Sequence, residues 1–250
     1  MLCILNLIEL VLLGLVLQRA QMNIQTTEDI KNEFKELYRN KVFREGKYGK
    51  TVEIQNAHFL ADKDWIIREP NYDYAKREIE WYESQSLYVK DIPGNTPKIW
   101  EMCADKDGKI NSNYGWCIWS DENKNQFDYC VKRLLDDQHT REACMIYTRP
   151  SMQTDCNENG MHDFMCTYST QVFLNEVRDD TNVYQLDYTV FMRSNDAVFG
   201  FDNDILWHRH VQSKIVDSLI ANGLNVIKGD IIWNAASLHV YELHFKFLED

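Results

Sequence analysis

The feature that most constrains this chain is the crowding of its strand-like apolar stretches into the second half. Residues 143–148, 164–174 and 183–193 read as strands, and NDILWHRHVQSKIVDSLIANG, from Asn203, reads as one long helix closed at Gly223. Two last strands are expected over 225–233 and 237–247. The first half offers a helix over EDIKNEFKELY capped by Thr26 and Thr27, an alternating strand KTVEIQNAHF, and helices over 72–86 and 122–136. Regular βαβ succession is missing, so the pattern predicts an α+β fold.

Nothing breaks the chain into parts. It has ten glycines, four prolines, no low-complexity tract and no repeat, which predicts a single domain over 22–250. The formal charge of −12 argues against a protein that coats nucleic acid, since neutralising phosphates needs a surplus of Lys and Arg. A small anionic ligand needs only a few local cations, and stays open. Seven cysteines, an odd number, lie scattered, which suggests reduced thiols in the cytoplasm, and without a C-x-x-C pair no metal site is expected. Residues 1–21 form an apolar N-terminal extension whose basic residue, Arg19, follows the apolar run instead of preceding it. The run Leu10 to Leu17 is too short to span a bilayer; an appended leader, with Met22 as an alternative start, and a weak membrane anchor are the two readings.

FMCTYSTQVFL places Cys166 on a predicted strand, where a cysteine is ordinarily a small apolar filler. Its companions carry more. Cys166 and Gln171, MRSNDAVFGFDND at 192–204, SLHVY at 237–241, REIEWY at 77–82 and HTR at 139–141 have an order and spacing that resembles the thymidylate synthase superfamily. YVKDIPGNTPKIW, INSNYGW, MIYTRPSM, DFMCT and IIWN-x-x-SLHVY are similar to its deoxycytidylate hydroxymethylase branch, found in large tailed bacteriophages, over roughly residues 25–247.

The resemblance implies a thymidylate synthase-like fold, a mixed β-sheet packed by helices with one sheet face forming a homodimer interface. It implies transfer of a one-carbon unit from 5,10-methylenetetrahydrofolate to carbon 5 of dCMP, with addition of water. Carbon 5 becomes nucleophilic once a thiolate adds at carbon 6, and cysteine suits that attack. Cys166 matches this nucleophile. Glu78 matches the carboxylate that organises water and proton transfers, with a pKa expected to rise in an enclosed site. Asp204 stands where thymidylate synthases carry asparagine. An ionised carboxylate accepts from the cytosine N4 amine and from a protonated N3 but faces the O4 lone pairs of uracil, which implies dCMP over dUMP. The helix start is expected to keep Asp204 ionised.

By the same resemblance Arg141, Arg193 and Ser194 match phosphate-binding positions, Arg141 reaching into the neighbouring subunit's site. His239 and Tyr241, on one face of a strand, match contacts to the deoxyribose hydroxyl, and Gln171 a support for the nucleotide. Trp100 and Asp196 match folate contacts. The implied setting is a host cell's cytoplasm, with a product that marks phage DNA, other nucleotide-synthesis enzymes as candidate partners and no direct nucleic-acid binding. Within the superfamily a dUMP methylase or hydroxymethylase is the alternative; outside that activity stands an inactive nucleotide-binding relative.

Four features depart from the pattern or lie outside it. Glu142 stands where the family has a second phosphate-loop arginine, so it is expected to point away or to weaken phosphate binding. The chain stops at LHFKFLED, where relatives continue with a segment that closes the site. Lys47 and Lys50 of EGKYGK are unranked candidates for a phosphate loop. His208 and His210 are two apart on a helix, point apart, and are expected to be surface or packing residues.

Overall fold

KTVEIQNAHF folds as its alternation predicts. In the computed structural model, which describes residues 24–46, 49–177 and 182–249, strand β3 (Gly49–Leu60) buries Val52, Ile54, Ala57 and Phe59. Its ladder breaks at Asn56, which takes φ 55°, a left-handed conformation that asparagine tolerates. Short strands β1 (Gln25–Thr26) and β2 (Arg44–Gly46) flank it. Helix α1 (Thr27–Arg39) starts in a capping box between Thr26 and Asp29 and buries Ile30 and Phe34. Residues 1–21, Met22 and Lys47 lie outside the described residues.

Helices α2 (Tyr72–Ser84), α3 (Lys98–Cys103), α4 (Tyr114–Trp119) and α5 (Gln126–Asp136) follow, then β4 (Cys144–Ile146) and α6 (Met152–Asp155). The sheet is completed by β5 (Thr167–Glu176), β6 (Tyr184–Met192), β7 (Asn195–Asp196) and β8 (Val226–Tyr241), with helix α7 (Gly200–Ala221) before the last strand. Among the described residues eight strands form one sheet in the order β1-β3-β8-β6-β5-β4, with β2 beside β3 and β7 beside β8. β8 runs antiparallel to β3 and parallel to β6, and α7 makes the crossover that a parallel pair needs.

One sheet face carries the core. Phe201, Ile205, Trp207, Val211, Ile215 and Leu219 of α7 are fully buried, as are Tyr188 and Trp233 of the sheet. Each such side chain contributes roughly 1.5–3 kcal/mol on burial. The opposite face stays open: Ile146, Phe173 and Phe191, on three adjacent strands, keep 55%, 38% and 39% of their surface exposed. Among the described residues no helix is long and apolar enough to cross a membrane.

Three expectations change. The two strands expected over 225–233 and 237–247 are one strand, β8, followed by a 3-10 helix at Glu242–Leu248. There Phe245 packs on Tyr38 of α1 and on Phe43 and Leu248 is fully buried, so the segment folds back toward α1 instead of extending the sheet. The helix expected from residue 122 starts at Gln126, after Asn125 at φ 43°. Cys166 lies one residue before β5.

Candidate active site

Because β5 runs antiparallel to β6, its start meets the end of β6: Thr167 pairs with Met192. Cys166 and Arg193, the flanking residues, are thereby brought together. The Arg193 backbone N–H donates to the Cys166 carbonyl at 2.8 Å. Its guanidinium donates to the carbonyls of Met165 and Phe164, lies over the Phe164 ring, and stands 3.7 Å from Cys166 Sγ. Ser194 is half-buried beside it and opens the turn into β7, whose Asp196 pairs with His239 at the end of β8. His239 is buried, its ring 4.7 Å from that of Tyr241. Sheet register thus sets Cys166, Arg193, Ser194, Asp196, His239 and Tyr241 along one end of the strands.

The helices supply the acids. Glu78 of α2 is buried and accepts from the Tyr74 hydroxyl and from Trp100 Nε1, the latter at 2.9 Å. Asp204, in the second turn of α7, accepts from Asn195 Nδ2 at 2.7 Å. α2 and α4 approach so closely that a Cβ on Gly115 would lie 1.8 Å from the Tyr82 carbonyl oxygen. That contact stacks Tyr114 on Tyr82 at 5.1 Å. Helical spacing in the sequence already puts Tyr82 on one face with Glu78, one turn apart, whereas Tyr114 and Asn195 stand out there only as members of INSNYGW and MRSND.

Two expected residues lie apart from this cluster. Gln171 sits on the open sheet face and its amide donates to the carbonyls of Ala143 and Arg141 at 3.1 and 3.4 Å. Arg141 is exposed on that loop. Glu142 pairs with Arg133 at 3.1 Å, which draws its charge toward α5. Lys50 lies 3.9 Å from Glu45.

A thymidylate synthase family model matches residues 48–250. The chain belongs to the thymidylate synthase family. Within it, deoxycytidylate 5-hydroxymethyltransferase of Enterobacteria phage T4 is 46% identical over 227 residues, 90% of this chain and 89% of the relative. The thymidylate synthase of Bacillus atrophaeus is 24% identical over 182 residues, 70% of this chain and 73% of the relative. The fold agrees with that of the thermostable thymidylate synthase A from Bacillus subtilis, at a TM-score of 0.62 and 18% identity over 90% of this chain and 83% of that one.

In this member of the thymidylate synthase family the cluster is strongly perturbed. Burial pushes the Cys166 thiol up to about 12; Arg193 pulls it down, while Asp204 and Asp163 push it further up. Burial raises Glu78 as well, against the bonds from Tyr74 and Trp100. Asp204 rises to about 8, from burial first and then from the charge of Glu78, with Asn195 and Tyr114 holding it down. The expectation that the helix start keeps Asp204 ionised is therefore corrected: the helix begins four residues earlier, and burial outweighs its dipole. Burial lowers His239 and raises Asp196 to about 6. His208 is buried and driven down to about 3, whereas His210 pairs with Glu83 at 3.0 Å. Among the described residues no three His, Cys, Asp or Glu side chains converge to hold a metal ion.

Proposed function

We propose that this chain is a deoxycytidylate 5-hydroxymethyltransferase, moving a one-carbon unit from 5,10-methylenetetrahydrofolate to carbon 5 of dCMP and adding water. The observation that carries the reading is a buried carboxyl, Asp204, whose charge acts on the Cys166 thiol and which itself feels Glu78, in a chain 46% identical over 90% of its length to enzymes of that name.

Cys166 Sγ adds to carbon 6, losing its proton as the bond forms; the carbon 5–carbon 6 double bond becomes single and its electrons form a carbon 4–carbon 5 enamine that is nucleophilic at carbon 5. Asp204, neutral at rest, gives its proton to N3 and accepts from the N4 amine, so negative charge does not build on the ring. The folate, when bound, supplies the one-carbon unit that carbon 5 takes up. Glu78, buried and bonded to Tyr74 and Trp100, accepts the carbon 5 proton through water and orients the water that adds to the exocyclic carbon. Loss of the carbon 5 proton lets the bond to the folate nitrogen break and tetrahydrofolate depart unoxidised; after water has added, sulfur leaves carbon 6 as N3 returns its proton to Asp204.

Arg193 and Ser194 of one subunit and Arg141 of its partner hold the phosphate, His239 and Tyr241 the sugar hydroxyl. Gln171 acts by bracing the Arg141 loop. For the folate, the half-buried Trp100 indole and the exposed Phe199 ring offer flat apolar surface, and Asp196 an acceptor for pterin N–H groups; these fit the group. The exposed Phe173, Phe191 and Ile146 face supports a homodimer, and residues 22–250 act as one catalytic domain. The test is tritium release from carbon-5-labelled dCMP and dUMP with methylenetetrahydrofolate. Release from dCMP that disappears in Cys166→Ala supports the reading; no release from either nucleotide by folded protein overturns it.

A further inference from the structure

A carboxyl at position 204 does not by itself exclude uracil. Ionised, both its oxygens accept; neutral, one oxygen donates and the other accepts, which makes the acid a hydrogen-bond mimic of asparagine. A neutral Asp204 free to choose its protonated oxygen turns O–H toward O4 and C=O toward N3–H and takes dUMP as an asparagine does. Burial keeps Asp204 neutral up to about pH 8. Discrimination then needs something that says where the proton sits.

The structure holds such a device. Asn195 is 2% exposed on β7, and its Nδ2 donates to Asp204 Oδ2 at 2.7 Å. Its own Oδ1 is buried with no partner, so the amide is committed to Asp204. Gly200 leaves the room: a Cβ there would lie 3.3 Å from Asn195 Nδ2 and 3.9 Å from Asp204 Oδ2. An amide nitrogen only donates, so Oδ2 is held as an acceptor.

We propose that Asn195 is a specificity-determining positioning residue: by donating to Oδ2 it confines the proton of Asp204 to Oδ1, so the side chain offers an acceptor to the exocyclic 4-position and a donor to N3. That is the complement of neutral cytosine and the mismatch of uracil. This rests on the dCMP reading above and deepens it.

The other groups facing Asp204 are Glu78 and Tyr82 of α2, Tyr114 of α4, Asp196 of β7, Asp202 of the same helix, and Cys166. The Tyr114 hydroxyl lowers the Asp204 pKa along with Asn195, whereas the Glu78 and Asp196 charges raise it.

The experiment is calorimetric binding of dCMP and dUMP, without folate, to the parent and to Asn195→Leu, which removes the donor at nearly constant volume. Measurements are made at about pH 6.5 and about pH 9.5, either side of the Asp204 titration. In the parent dCMP is preferred at the lower pH. In Asn195→Leu that preference falls roughly tenfold there, by gain of dUMP affinity, whereas at the higher pH, where the carboxylate accepts with both oxygens and mismatches one atom of either base, parent and variant show the same small preference. Asn195→Ala, which adds no bulk, shows the same pH-dependent loss. Equal weakening of both nucleotides at both pH values overturns the proposal, as does an unchanged preference in both variants. A parent with no preference for dCMP instead overturns the underlying dCMP reading.

Discussion

The proposed attack by Cys166 draws on its thiolate, and its surroundings resist that form: burial pushes the thiol up to about 12, with Arg193 as the opposing charge. Carboxamidomethylation of Cys166 by iodoacetamide, followed by peptide mass, is therefore expected to rise about tenfold per pH unit to beyond pH 10, without the plateau of an activated cysteine. Arg193→Ala slows it further at fixed pH, since the cation that favours the thiolate is gone. The double change Asp204→Asn with Asn195→Leu moves substrate preference from dCMP toward dUMP in the tritium assay, because an amide no longer held by Asn195 can donate to O4. Asp202, 2% exposed with Oδ1 unpartnered, is raised to about 8 from 3.8, chiefly by burial. Between those values the folded state keeps a proton that the unfolded state releases, so stability falls as pH rises through that window and levels off above it. Asp202→Asn should thus stabilise the fold most above pH 8, by roughly 1–3 kcal/mol, read as a higher thermal midpoint, with the gain shrinking toward pH 5. Cys166, Glu78 and Asp204 were legible in the sequence because they stand in recognisable motifs. The state of Asp204 and the burial of Asp202 were not, because both depend on what α7 packs against.

At the level of elements, α2 and α4 touch through Gly115, whose missing Cβ admits the Tyr82 carbonyl. Gly115→Ala forces the helices apart, shifts Tyr82, Tyr114 and Glu78 together, and is expected to cost roughly 1–3 kcal/mol in urea unfolding along with activity. Gln85, at the C-terminus of α2, holds φ 58° without being glycine. Gln85→Gly relieves that strain and should raise stability by up to about 1 kcal/mol while leaving turnover unchanged. Long periodic elements such as α1, α7 and β3 were readable directly. Short helices such as Tyr114–Trp119 were not, since two turns give periodicity too little length to register. The two predicted C-terminal strands merged because β8 continues past Asn234 with both neighbours still paired to it.

For the whole molecule, Arg141 is exposed on a loop braced by Gln171 and takes part in no ion pair among the described residues. If it completes the partner's site, mixing inactive Arg141→Ala with inactive Cys166→Ala protein restores about a quarter of parental activity, from one intact site in the mixed half of the dimers. Phe191→Asp, on the open sheet face, should abolish that rescue and sediment as a monomer. Composition and element order gave α+β, but strand order was illegible: long-range pairing leaves no local mark, and nothing in IIWNAASLHVY says that it lies between β3 and β6. That placement matters for biosynthesis. The strand joining the two halves of the sheet is translated after every other strand, so during synthesis β3 and β5–β6 wait with unpaired edges. A nascent chain stalled before Val226 holds most of the mass of the protein and no continuous sheet, so its open strand edges are expected to stay exposed until the last strand leaves the ribosome.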